Sequence, residues 1–165
     1  MKIAKIINNN VVSTCDEEGR EIIVMGRGVG FKAKEGNTID EEKVEKIFRL
    51  ESQNTMDKFK ELLENLPMEH VQMSAEIIGY VKEVLNRPIN PNVYITLTDH
   101  INFALERYKQ KMMFSNPLIR EVRSFYHAEY LIGEYAIAMI ERDLGVKLPV
   151  DEAASIALHI VNAEY

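Results

Sequence analysis

The sequence predicts two domains of different class: a small four-stranded β-sheet domain over residues 1–55 and an all-α helical bundle over residues 67–165, joined by a linker helix at 56–66. Three observations lead there. Short β-branched runs separated by Asn- and Gly-containing turns fill the first fifty residues. From about Ser52 onward the apolar residues recur at three and four positions, the helical period. All five prolines, Pro67, Pro88, Pro91, Pro117 and Pro149, fall between the periodic segments, where helices are expected to stop or start.

Taken in order, Lys2–Ile7 is short and β-branched, and Asn8-Asn9-Asn10 follows as a turn, since asparagine tolerates left-handed backbone angles. Val11–Cys15 reads as a second strand, Asp16-Glu17-Glu18-Gly19 as a hairpin connection, and Arg20–Met25 as a third strand. A glycine-rich loop runs from Gly26 to Phe31. Val44–Leu50 fits a fourth strand, although Asp40–Lys46 equally fits the start of a helix. Helices are then expected near 53–66, 70–86, 92–111, 118–143 and 151–163, with Asp151 as an N-cap and Gly145 ending the fourth. A β unit of this size buries little core by itself. The single Cys15 offers no internal disulfide and no Cys/His cluster offers a zinc site, so the β unit is expected to dimerise.

Composition narrows the class. With 46% hydrophobic and 28% charged residues the chain reads as globular. No apolar run approaches the roughly 18 residues of a membrane span. The N-terminus lacks the apolar core and small-residue cleavage site of a secretion signal. A lone cysteine fits a reducing, cytoplasmic location. Net charge is −6, unevenly spread: residues 1–34 carry six Lys/Arg against four acids. That mildly positive head permits nucleic-acid binding through shape and hydrogen bonds more than through bulk attraction. Residues 57–165 carry 11 Lys/Arg against 16 acids, which disfavours a duplex-binding face there.

Gly26-x-Gly28-x-Gly30 is not a dinucleotide fingerprint, because its third glycine comes one place early and no helix start follows. Two readings remain: a tight turn needing positive backbone angles, or a loop that brings backbone close to RNA, with Arg27 as a hydrogen-bonding plane and Phe31 as a stacking face. Lys5, Asn8, Asn10 and Arg27 form a polar set on the β framework, either an exposed sheet face or donors and acceptors for RNA. The histidines are His70, His100, His127 and His159, with no HExxH and no closely spaced pair, so neither a metal nor a cofactor is expected. His100 and His159 each have apolar neighbours and an asparagine shortly after. Each is either a partly buried, hydrogen-bonded histidine or a reactive imidazole, nucleophilic when neutral. Asp99 could orient His100 or be surface charge, while Asp151-Glu152 reads as capping and solubility. With no G-x-S-x-G element and no P-loop, no catalytic residues are assigned and an enzyme is not expected.

Four segments resemble a known family. Met1–Val12 (MKIAKIINNNVV) and Val24–Phe31 (VMGRGVGF) are similar to the co-antiterminator RNA-binding domain of BglG/SacY/LicT-type transcriptional antiterminators. Leu97–Ala104 (LTDHINFA) and Glu152–His159 (EAASIALH) are similar to the two histidine motifs of a PTS regulation domain. The resemblance implies an antiparallel, dimeric sheet that binds an RNA hairpin in a leader transcript and prevents an overlapping terminator from forming. It implies RNA contacts at Lys5, Asn8, Asn10, Gly26, Arg27 and Phe31, and phosphorylation of His100 and His159 by phosphotransferase-system proteins, the sugar permease and HPr. A sugar operon, β-glucoside utilisation first among them, is the implied target. A second regulation domain normally follows in the family, and this sequence ends at Tyr165 before one. The rival from another class is a phosphohistidine carrier that passes its phosphate onward.

Overall fold

A computed structural model describes residues 1–165, which separate into two units, Met1–Met68 and Glu69–Tyr165. In the first, β1 (Lys5–Asn8), β2 (Val11–Cys15), β3 (Glu21–Met25) and β4 (Lys46–Phe48) form one antiparallel sheet in the order β1-β2-β3-β4. Turn chemistry sets its register. Asp16 Oδ1 accepts the backbone N–H groups of Glu18 and Arg20, both at 2.9 Å, and closes the β2–β3 hairpin. Those hydrogen bonds, that of Arg20 foremost, hold the Asp16 carboxyl below its ordinary value. Val12 then faces Ile6 and Val24 across the ladder, and Ser13 faces Lys5 and Ile23.

Two strands are shorter than expected. The expected first strand, Lys2–Ile7, bends at Ala4: Ile3 N–H donates to Asn37 O and Ile39 N–H to Met1 O, both at 2.8 Å, which buries Ile3 against Val29 and Ile39. The expected fourth strand starts late because Glu41–Lys43 forms one 3₁₀ turn, with Asp40 accepting from Glu42 N–H at 3.1 Å. Both openings left for Asp40–Lys46 are thus used in turn.

The helix α1 (Gln53–Leu63) belongs to this unit. Ser52 caps it, and Met56, Phe59 and Leu63, spaced i, i+3, i+7, are its buried face. Phe59 meets Phe48 of β4 edge to face, with ring centroids 5.1 Å apart. Lys60 Nζ sits 2.8 and 2.9 Å from the two Glu21 carboxylate oxygens. Burial works against the Glu21 charge, but the hydrogen bonds from Lys60 and Gln53 outweigh it and leave the carboxyl below its usual range. One sheet face therefore carries Val12 and Val24 against the 29–39 loops, and residues of the opposite alternation meet α1.

The second unit contains α2 (Met68–Leu85, which begins at the last residue of the first unit), α3 (Val93–Lys109), α4 (Ile119–Phe125), α5 (His127–Leu144) and α6 (Asp151–Ala163). Its core joins Ile77, Ile78 and Val81 of α2 to Leu97 and Ile101 of α3, Ile132 and Ile140 of α5, and Ile156 and Ile160 of α6. Gly145, at φ +68°, ends α5 in the left-handed conformation, and its N–H donates to Glu141 O at 3.0 Å.

The helix expected over 118–143 is two helices, broken at Tyr126 (φ −128°, ψ 55°). Packing explains the break. In a straight helix Val122 and Tyr130 would lie about 12 Å apart along the axis. Here both join one cluster with Ala153, Ala154 and Ala157 of α6, so the chain turns between them. No helix is long and apolar enough to cross a membrane.

Candidate functional sites

The asparagine turn and the glycine loop form one connected edge of the first unit. Gly26 N–H donates to Asn10 O at 2.9 Å, Gly28 N–H to Asn10 Oδ1 at 2.8 Å, and Gly30 N–H to Asn9 O at 2.9 Å. Gly26 has no room for a side chain, since a Cβ would stand 1.7 Å from Lys43 O. Arg27 is exposed, and its backbone N–H donates to Glu45 Oε2 at 3.0 Å. Phe31 is 56% exposed with the Lys32 ammonium 5.4 Å from its ring centre, an aromatic face edged with positive charge. Of the residues singled out in the sequence, Asn8, Asn10, Gly26, Arg27 and Phe31 are brought together by this turn and loop. Lys5 stands on β1 toward α1, where its charge helps lower the Asp57 carboxyl behind the larger contributions of Gln53 and Lys60. The Asn8 amide is engaged at both ends: Oδ1 accepts from Asn10 N–H at 2.8 Å and Nδ2 donates to Leu63 O at 3.2 Å.

The second cluster lies where α3 and α6 meet. The His100 and His159 rings are 4.7 Å apart, inclined at 41°. His100 Nε2 is 2.9 Å from Glu152 Oε2. A carboxylate only accepts, so His100 Nε2 is the donor in this contact. Burial, then repulsion from His100, lowers the His159 pKa from its ordinary value, and the Glu152 and Asp99 charges oppose this only in part. Both effects favour the neutral His159 ring over the charged one.

Glu152, read in the sequence as capping and solubility, also bonds His100 across from α3. Asp99 is exposed, and the carboxylate on His100 comes from α6 instead. The available signal was spacing: Glu152 and His159 are seven residues apart on one helix, two turns and one face. Nor does Asp151 cap α6. Val150 holds that position, while Asp151 Oδ2 accepts from Asn116 N–H at 2.8 Å. His70 is buried with Nδ1 2.7 Å from Asn102 Oδ1, a structural histidine, and His127 is exposed at the start of α5.

Residues 1–57 match the CAT RNA binding domain, and residues 75–163 match the PRD domain. The chain belongs to the PRD family, with a CAT RNA-binding domain at its head. The CAT match holds all six loop and strand candidates, and the PRD match holds both histidines and Glu152. This CAT–PRD chain is 48% identical over 164 residues to transcription antiterminator LicT of Bacillus subtilis, covering 99% of this chain and 59% of that one. It is 47% identical over 164 residues to a beta-glucoside operon antiterminator of Dickeya chrysanthemi, covering 99% and 58%. The chain thus spans under two thirds of the length of these relatives. Its fold matches the crystal structure of GlcT CAT-PRDI with a TM-score of 0.83 at 34% identity, covering 99% of this chain and 97% of that one.

Proposed function

We propose that this chain is the RNA-binding and first regulatory part of a transcriptional antiterminator for a sugar operon, β-glucoside utilisation first among them. In this reading it works in the cytoplasm as a homodimer. It stabilises a leader RNA hairpin and so prevents the overlapping terminator from forming. The observation that carries the reading is the joined edge of asparagine turn and glycine loop, which presents Arg27 and Phe31 from a CAT domain. Arginine planes and exposed aromatics are the tools for unpaired or splayed RNA bases. The names of the relatives support regulation over enzymatic turnover.

Control is proposed at the histidine pair. A phosphoryl group on His100 or His159, delivered by HPr or a sugar permease of the phosphotransferase system, adds about −2 charge by analogy with other phosphoresidues. It arrives beside the Glu152 carboxylate, which bonds His100 at 2.9 Å. Repulsion would drive Glu152 away and disturb the first two turns of α6, where Asp151 and Ser155 hold Asn116.

The test is a gel-shift titration of the full chain against a hairpin from the leader of a β-glucoside operon. Arg27→Ala and Asn10→Ala should each weaken binding by about 10- to 100-fold. The salt dependence should be shallow, because the head carries little net positive charge. Unchanged affinity in both variants would remove the proposed RNA surface.

A further inference from the structure

The far end of α1 is tied to the glycine loop through one side chain. In a continuing α-helix the Leu63 carbonyl would accept the N–H of residue 67. That residue is Pro67, which has no N–H, so the sequence itself leaves this carbonyl open. Asn8 Nδ2 fills it at 3.2 Å and also reaches Glu64 O at 3.4 Å. Asn8 Oδ1 accepts Asn10 N–H at 2.8 Å, and Asn10 Oδ1 accepts Gly28 N–H at 2.8 Å. Three successive hydrogen bonds thus run from the last turn of α1 to the loop that carries Arg27 and Phe31. Their sense is consistent throughout, since each amide donates or accepts where its neighbour needs it.

We propose that Asn8 is a positioning residue: by filling the carbonyl that Pro67 leaves open at the end of α1, it sets the placement of the Gly26–Phe31 loop relative to that helix. The inference rests on the RNA-binding reading for its consequence, because the positioned loop is the proposed RNA surface. It differs from the family resemblance, which makes Asn8 an RNA contact. A displacement of the 63–67 segment would then be felt at Arg27 and Phe31 without unfolding the sheet. The Lys60–Glu21 ion pair holds the body of α1 to β3 and leaves the relay to act at its end.

The test uses the free full chain, with amide hydrogen exchange followed by NMR. Asn8→Asp keeps the acceptor for Asn10 N–H but replaces the donor to Leu63 O with an oxygen. Exchange at Gly28 and Asn10 should rise about fivefold or more, while Val12 and Val24 at the sheet centre stay protected. Pro67→Ala supplies an N–H that competes for Leu63 O with Asn8 intact, and should move Gly28 in the same direction. If Asn8→Asp does not fold, Pro67→Ala alone decides. Gly28 exchange equal to that of the unaltered chain would overturn the proposal, and so would hairpin affinity lost in Asn8→Asp with exchange unmoved, which assigns Asn8 to RNA contact. An unaltered chain that binds no hairpin sinks the RNA reading and leaves the exchange result standing.

Discussion

Replacing His100 by glutamine should move the His159 titration upward, and the size of the move can be bounded from geometry. Two imidazolium rings 4.7 Å apart repel by about 1 kcal/mol at the dielectric constant of water and about 3.5 kcal/mol at an effective value of 20. Both rings are partly buried, so the move lies between those two limits. Removing His100 abolishes this repulsion, so the His159 pKa rises, while burial goes on lowering it against the Glu152 and Asp99 charges. The assay is an NMR titration of the His159 ring in the full chain, where each tenfold change in proton affinity reads about 1.4 kcal/mol. The same shift has a stability consequence. A histidine with a lowered folded pKa is kept neutral by the fold, while the unfolded chain takes up protons first. Its contribution is whole above about 6.5 and is lost as pH falls below that value. A His159 ring that titrates at or above the ordinary value in the unaltered chain, or that stays put in His100→Gln, refutes the reasoning.

Gly26→Ala should destabilise the first unit by at least about 2 kcal/mol in a urea titration, because the new Cβ would stand 1.7 Å from Lys43 O and backbone must shift to admit it. Glu164→Gln tests a carboxyl raised from 4.5 to about 7 by burial and by neighbouring Glu129, against the opposing charge of Arg87. Between those two values the folded chain holds more protons than the unfolded one, so stability falls as pH rises through the window. The glutamine variant should therefore gain urea resistance relative to the unaltered chain at pH 8 and differ little near pH 4. A variant weaker at pH 8 would show that the Arg87 pair dominates.

Local chemistry was the most legible part of the sequence. Asp16 turned the hairpin, Gly145 stopped α5 and the prolines fell between helices, because each of those outcomes depends on a few adjacent residues. What was not legible depends on residues distant in sequence. Nothing in Ser124-Phe125-Tyr126-His127 announces a helix break; the break follows from the alanine face of α6, which accepts Val122 and Tyr130 together. Glu152 looked like helix-start charge, and its role depends on α3 lying against α6. The histidines were legible as candidates by their matching surroundings and by family resemblance, but their juxtaposition was not.

The dimer expectation rests on a size rule whose weight depends on whether α1 is counted with the sheet. A sheet of 55 residues has one face too many for its own side chains, so a second copy looked necessary. The boundary excluded α1, whose apolar stripe of Met56, Phe59 and Leu63 is buried, with Phe59 against Phe48 of the sheet. With the helix counted in, the core strands are buried on both sides within the chain: Val11 through Thr14 and Ile22 through Met25 are all inside. The proposed homodimer would then add to a sheet already covered by α1 and the 29–39 loops. What remains for a dimer to use is the periphery of the sheet and the exposed polar surface. Association there would be weaker per unit area and more open to adjustment than a shared core, since only a modest apolar area would leave water. A dimer of that kind suits a switch better than an obligate one does, because a change of a few kcal/mol is enough to make or unmake it.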